Sequence, residues 1–91
     1  MKEILIVTKP NCLACSCVTE MIHNIYNNMD LNNKISLNMI NIYDKQEFKA
    51  QYGTEFAPLV IFNKNNQEIA RVTGSMPVDF YKAVINKFIE L

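Results

Sequence analysis

Cys12-Leu13-Ala14-Cys15 is where residue types and spacing first point to chemistry. Two thiols separated by two residues can close a small ring as a disulfide and open it again. The pair stands where an apolar run, Ile4-Leu5-Ile6-Val7, gives way to a helical pattern. A thiol at a helix N-terminus faces unpaired backbone N–H groups and the positive end of the helix dipole, both of which stabilise the thiolate, the form that attacks a disulfide. A helical wheel separates the two roles. At about 100° per residue from Cys12, the apolar face of Val18 and Ile25 centres near ~235° and Cys15 falls near ~300°, on its buried edge. Cys12 lies outside that face. The expectation is an exposed attacking thiol at Cys12 and a shielded partner at Cys15.

Zinc and copper sites share the C-x-x-C spacing, so the further candidates Cys17 and His23 matter. Cys17 falls near ~140° on the wheel, turned away from Cys15. His23 stands eleven residues past Cys12, about 16 Å along a helix, too far to join it in a metal site or serve as its base. His23 reads as a solvated helix residue, and Cys17 as a semi-buried small hydrophobe or an accessory thiol. Pro58, in an Ala57-Pro58 step before a buried strand, is either an ordinary proline at a strand start or a cis proline in a loop facing the cysteines. In the second case the N–H and carbonyl of Ala57 are free to pair with an extended substrate backbone.

These residues need elements to hold them. Ile4 to Val7 reads as a strand covered on both faces. Val18, Met21, Ile22, Ile25 and Met29 follow at helical spacing, and Ile35, Leu37 and Met39 alternate as a second strand continued by Ile40 and Ile42. Asp44 with Glu47 resembles a capping box opening a short helix through Phe48 and Tyr52, ended by Gly53. Leu59 to Phe62 is a third strand, residues 63–67 a polar turn, and Ile69, Ala70 and Val72 a fourth strand paired as a hairpin. After Gly74, Pro77 suits a first helical position, and Phe80, Val84, Ile85, Phe88 and Ile89 stripe a last helix. The asparagine pairs at 27–28, 32–33 and 65–66 read as turns. The fold class is therefore α/β, in the order β-α-β-α-β-β-α. The first two strands are parallel across a helical crossover, the last two are antiparallel, and helices cover both faces of a four-stranded mixed sheet.

Composition narrows the function. Ninety-one residues suit a single domain over 1–91, with 49% hydrophobic residues to fill its core. Nine Lys+Arg against nine Asp+Glu give no excess of positive charge, which disfavours nucleic acid and anionic membranes as partners. No apolar run approaches the ~18 residues of a membrane span, and the N-terminus leads directly into a strand rather than into a signal peptide. Three cysteines, all within positions 12–17, are no disulfide framework. These observations point to a cytoplasmic protein, which is expected to be a monomer.

The residues then resemble the thioredoxin/glutaredoxin superfamily over nearly the whole chain. Thr8-Lys9-Pro10-Asn11-Cys12 is similar to the lead-in of glutaredoxins and of the glutaredoxin-like electron donors to ribonucleotide reductase. Gln51 through Ala57-Pro58 to Phe62 resembles the helix end, cis-proline loop and third strand of thioredoxins, and Thr73-Gly74-Ser75 the glycine after their last strand. The resemblance implies a thioredoxin-like fold, Cys12 as nucleophile, Cys15 as resolving thiol, and Ala57 with Pro58 as a substrate loop. It extends the candidate substrate site to Gly74 and to Lys9, which either supports the thiolate or is a solvated loop lysine. Departures are informative. Leu13-Ala14 is neither Gly-Pro nor Pro-Tyr, and Asn11 replaces the thioredoxin tryptophan. Ile6 stands where thioredoxins keep a buried acid, and Phe56-Ala57-Pro58 with Thr73-Gly74-Ser75 lack the marks of a glutathione site.

The leading expectation is a thiol–disulfide oxidoreductase that reduces protein disulfides without a cofactor, recharged by a thioredoxin-reductase-type enzyme. An electron-donor role toward ribonucleotide reductase accompanies it. The alternatives are a glutathione-dependent glutaredoxin, a copper- or zinc-binding C-x-x-C module, and a thioredoxin-like interaction domain without turnover. The copper modules end on a strand, whereas this chain is expected to end on a helix.

Overall fold

A computed structural model describes residues 1–53 and 57–91. Residues 54–56, which include the Phe56 of the expected substrate loop, lie outside them. The elements follow as β1 (Lys2–Thr8), α1 (Leu13–Asn28), β2 (Ile35–Asn41), α2 (Gln46–Tyr52), β3 (Leu59–Lys64), β4 (Gln67–Thr73) and α3 (Val78–Glu90). This is the expected order, ending on a helix, and the fold is thioredoxin-like.

The four strands form one sheet in the order β2-β1-β3-β4. β1 runs parallel to β2, with Ile4 beside Leu37, and antiparallel to β3, with Ile6 beside Val60. Both faces of β1 are buried, which is why its sequence is a continuous apolar run rather than an alternating one. Ile4 and Ile6 join Val60, Phe62 and Val72 on one face, against Val18, Ile22 and Ile25 of α1 and Tyr81, Ile85 and Phe88 of α3. Leu5, Val7, Leu59 and Ile61 form the opposite face, with Ile42, Phe48 and Tyr52. Phe62 and Phe88 meet edge-on at 5.1 Å between ring centroids, tying β3 to α3.

Local chemistry departs from the sequence expectation at several points. The Asp44–Glu47 capping box does not form: Lys45 is the N-cap of α2, and an Asp44 carboxylate oxygen accepts from the Asn41 N–H at 3.3 Å instead. Pro77 is the N-cap of α3, and Val78 is its first helical residue. Of the aromatic pair at the start of α3 it is Tyr81 that is buried, while Phe80 is 41% exposed. Asn27-Asn28 completes α1 rather than turning the chain. The chain then leaves the helix through Asp30 at φ 55°, with the Leu31 N–H bonded to the Tyr26 carbonyl at 3.2 Å. Asn65 and Asn66, both at positive φ, do turn the hairpin between β3 and β4. Among the described residues no helix is long and apolar enough to cross a membrane.

Candidate active site

The end of β1 sets the position of the cysteines. The Thr8 carbonyl accepts from the Ile42 N–H at 2.8 Å, and its hydroxyl donates to the Ile40 carbonyl at 3.1 Å, which anchors the strand end to β2. The chain then reverses through Asn11 at φ 56°, a conformation asparagine tolerates better than most residues with a side chain. Cys12 follows in an extended conformation as the N-cap of α1. Its Sγ accepts from the Cys15 backbone N–H at 3.1 Å, and its carbonyl accepts the Ser16 N–H at 3.3 Å. The sulfur thus occupies the place that a serine or aspartate oxygen takes in an ordinary capped helix. The first turn of α1 carries no acidic side chain to oppose a negative charge on that sulfur.

Cys12 and Cys15 form a disulfide, with 5.2 Å between their Cα atoms. Cys12 is half-buried and Cys15 only 3% exposed, on the same inward stripe as Val18, Ile22 and Ile25. The wheel reading therefore holds for Cys15, while Cys12, expected to be exposed, is half-buried. Cys17 is a free, exposed thiol, which overturns its reading as a semi-buried hydrophobe and leaves that of an accessory thiol. His23 is exposed as expected, with Nδ1 2.9 Å from the Thr19 carbonyl one turn earlier.

The antiparallel pairing of β1 and β3 sets Val7 beside Leu59, so Pro58 reaches the same end of the sheet as Thr8 and the cysteine loop. Pro58 is buried and its peptide bond with Ala57 is cis. Among the described residues neither the N–H nor the carbonyl of Ala57 makes a backbone hydrogen bond. Gly74 joins this loop from β4: its N–H donates to the Pro58 carbonyl at 2.8 Å, and its own carbonyl accepts from the Tyr81 hydroxyl at 3.1 Å. Gly74 adopts φ 78°, and the space a Cβ would enter there holds no atom within 4 Å.

On the other side of the cysteines runs an open groove of about 750 Å³ along α1. Lys9 and Asn11 of the cysteine loop, Thr19, Glu20 and His23 of α1, and Met39 of β2 line it together with the cysteines. Sequence reasoning placed Lys9 near the cysteines but missed Leu13, 81% exposed at the groove, and Met39, 56% exposed despite its place in an alternating strand. It also missed Tyr81. The spacing of Tyr81, Ile85 and Phe88 carries that signal, because those three share one helix face while Phe80 stands about 100° away.

Comparison with known proteins now adds to this geometry. The sequence matches the glutaredoxin-like domain family (DUF836) over residues 3–85. The chain belongs to that family. Membership brings it within the thioredoxin/glutaredoxin superfamily, as Thr8 to Cys12 and the Pro58 loop suggested. Among solved structures, thioredoxin 1 of the thermophilic eubacterium Thermosipho africanus TCF52B superposes with a TM-score of 0.76 at 22% identity, covering 97% of this chain and 94% of that one. Thioredoxin-2 of the malaria parasite, described as a component of its protein secretion machinery, gives 0.80 at 17% identity, covering 96% and 82%. A further malarial protein gives 0.78 at 17% identity, covering 97% of each chain. At these identities the likeness concerns the fold. No curated protein sequence matches the chain. The family and the cysteine pair together make this a domain equipped for redox chemistry.

Proposed function

We propose that this member of the family reduces protein disulfides by dithiol exchange. The observation that carries the reading is the division of the cysteine pair. Cys12 caps α1 with its sulfur on a backbone N–H, and Cys15 is shielded behind it. In the reduced chain the Cys12 thiolate attacks one sulfur of the substrate disulfide. A Cys12–substrate bond forms, the substrate S–S bond breaks, and the departing thiolate takes up a proton. Cys15, once deprotonated, attacks the Cys12 sulfur, closes the intramolecular disulfide and releases the second substrate thiol. Two electrons have then moved from the chain to the substrate. Two electrons and two protons from a thioredoxin-reductase-type enzyme restore the dithiol.

Ile6, fully buried and apolar, supplies no proton acceptor in the place where thioredoxins keep an acid. The departing substrate thiolate is the base that suits Cys15 best. Ala57, with its backbone groups free among the described residues, and Pro58 form the proposed substrate loop, with Gly74 beside them and Lys9 at the cysteine loop. We assign the activity to a monomer in a reducing compartment, the cytoplasm, with disulfide-containing proteins as partners and ribonucleotide reductase among the possible recipients.

The test is insulin reduction driven by dithiothreitol. The wild-type chain should accelerate it, Cys12→Ser should not, and Cys15→Ser should accumulate a mixed disulfide through Cys12. Undiminished turnover by Cys12→Ser would sink the assignment. Equilibration with thioredoxin and glutathione should then give a potential nearer to about −270 mV than to about −120 mV, as a reductant requires.

A further inference from the structure

Tyr81 presents a problem that its neighbours do not. It is 0% exposed in the main core cluster, on the helix face whose other buried members, Ile85 and Phe88, are wholly apolar. A phenylalanine would fill the same space, so the hydroxyl, which must be desolvated to sit there, needs a separate reason. Its bonds supply one. The hydroxyl donates to the Gly74 carbonyl at 3.1 Å and accepts from the Met76 N–H at 3.2 Å, clasping the segment between β4 and α3 from beneath. Gly74 passes the connection on, since its N–H donates to the Pro58 carbonyl at 2.8 Å. A buried residue of α3 is thereby linked through two hydrogen bonds to the loop that stands level with Thr8 and the cysteines.

The segment it holds is not self-supporting. Gly74 sits at φ 78°, a region glycine can leave easily, and no atom lies within 4 Å of where its Cβ would be. Ser75 is exposed and Met76 half-buried. The clasp by Tyr81 is a fixed point on one side of this stretch, and the bond to Pro58 is the other.

We propose that Tyr81 is a positioning residue for substrate selection: its hydroxyl fixes Gly74–Met76 against Pro58 and so holds in place the Ala57–Pro58 loop on which a protein disulfide is proposed to pair beside Cys12. It acts through Gly74 and touches neither the reacting sulfurs nor the substrate. The proposal rests on the disulfide-reductase reading for its functional half. Loosening that loop weakens capture of an extended polypeptide, which pairs with its backbone, and leaves a small disulfide, which needs only Cys12, unaffected.

The experiment is Tyr81→Phe, which keeps the ring and its packing. Its expected result is a rise in KM for insulin of about fivefold, the equivalent of one neutral hydrogen bond, with kcat unchanged. The rate with oxidised 2-mercaptoethanol and the Cys12–Cys15 reduction potential should also stay at wild-type values. Independently of activity, amide hydrogen exchange of Gly74 should quicken by a similar factor of about five, while Val60 and Val72 in the strands keep their protection. Phe88→Leu serves as a control that loosens the same core without reaching Gly74, and it should move neither KM nor the relative exchange of Gly74. An unchanged insulin KM, or unchanged Gly74 exchange, in Tyr81→Phe overturns the proposal. So does an equal shift in Phe88→Leu, which would make the role one of general stability. A wild-type chain inert toward both disulfides would defeat the reductase reading and with it the substrate half of the proposal, whereas a wild type that works beside an unaltered Tyr81→Phe defeats the proposal alone.

Discussion

The hydrogen bond from the Cys15 N–H to the Cys12 sulfur can be removed without touching Cys12. In a Cys17→Ser background, Cys15→Ser keeps the backbone N–H and Cys15→Pro deletes it. Proline is tolerable there because this N–H belongs to the first turn, where no earlier helical carbonyl is available as its partner. A hydrogen bond to a charged acceptor contributes about 1.5–3 kcal/mol. At about 1.4 kcal/mol per tenfold, its loss lowers the thiolate-to-thiol ratio of Cys12 by roughly 13- to 160-fold. The rate falls less, because a thiolate that is harder to form is also the better nucleophile. With a Brønsted coefficient of about 0.45, the net slowing at low pH is roughly 4- to 15-fold. The assay is the pH dependence of attack on a small aromatic disulfide from about pH 5 to 9, with circular dichroism to verify that α1 survives the restriction proline places on Ala14. Equal rates for the two variants at pH 5, with the helix intact, would refute the capping argument.

Three further outcomes follow from the packing and the turns. Phe88→Ala, which removes a buried ring in edge contact with Phe62, should cost about 3–5 kcal/mol in urea unfolding, and a loss below ~1 would contradict the core assignment. Asn66→Gly, at φ 67° in the β3–β4 turn, should leave stability equal or raise it by up to ~1 kcal/mol, since glycine adopts that conformation freely; a clear loss would count against the turn geometry. Burial holds the hydroxyls of Tyr81 and Tyr52 above the usual tyrosine value of 10.0, with Glu3 and Glu68 adding to the effect at Tyr52. Their stabilising contribution is fully present below that value and is lost as pH rises through the folded values, because the unfolded chain releases these protons first. Urea melts between about pH 9 and 11 should show that decline, and Tyr81→Phe should show a shallower one.

Much of this was legible in the residues themselves. A strand buried on both faces has no reason to alternate, and Ile4 to Val7 does not. Cys15 could be placed inside because Val18, Ile22 and Ile25 already defined the inward direction of α1. What escaped the sequence depends on competition between partners. The Asp44 carboxylate accepts from the Asn41 N–H on the strand side, and α2 starts one residue later, at an N-cap of Lys45 with no side-chain cap bond. Met39 belongs to the inward set of its strand, yet β2 lies at the sheet edge, where Met39 borders the open groove beside α1 and stays 56% exposed. Phe80 outranks Tyr81 in hydrophobicity, but Tyr81 faces the core and finds partners for its hydroxyl in a segment whose path no local pattern reveals. The groove along α1 is a property of three elements together, and no single one of them announces it.

The strand order carries one more consequence. Among the described residues β2 and β4 each pair on one side only, so the sheet presents two open rows of backbone donors and acceptors, the feature by which sheets recruit one another into aggregates. The chain guards both rims. β4 carries the Glu68–Arg71 ion pair on its exposed surface, and a register irregularity at Phe62/Asn63 bends the hairpin that bears it. β2 interrupts its apolar residues with the exposed polar Ser36 and Asn38. Under the proposed function, a chain that pairs with the unpaired backbones of its substrates must not adhere to its own copies, and these polar side chains and the bulge are the features at the two rims that oppose such adhesion.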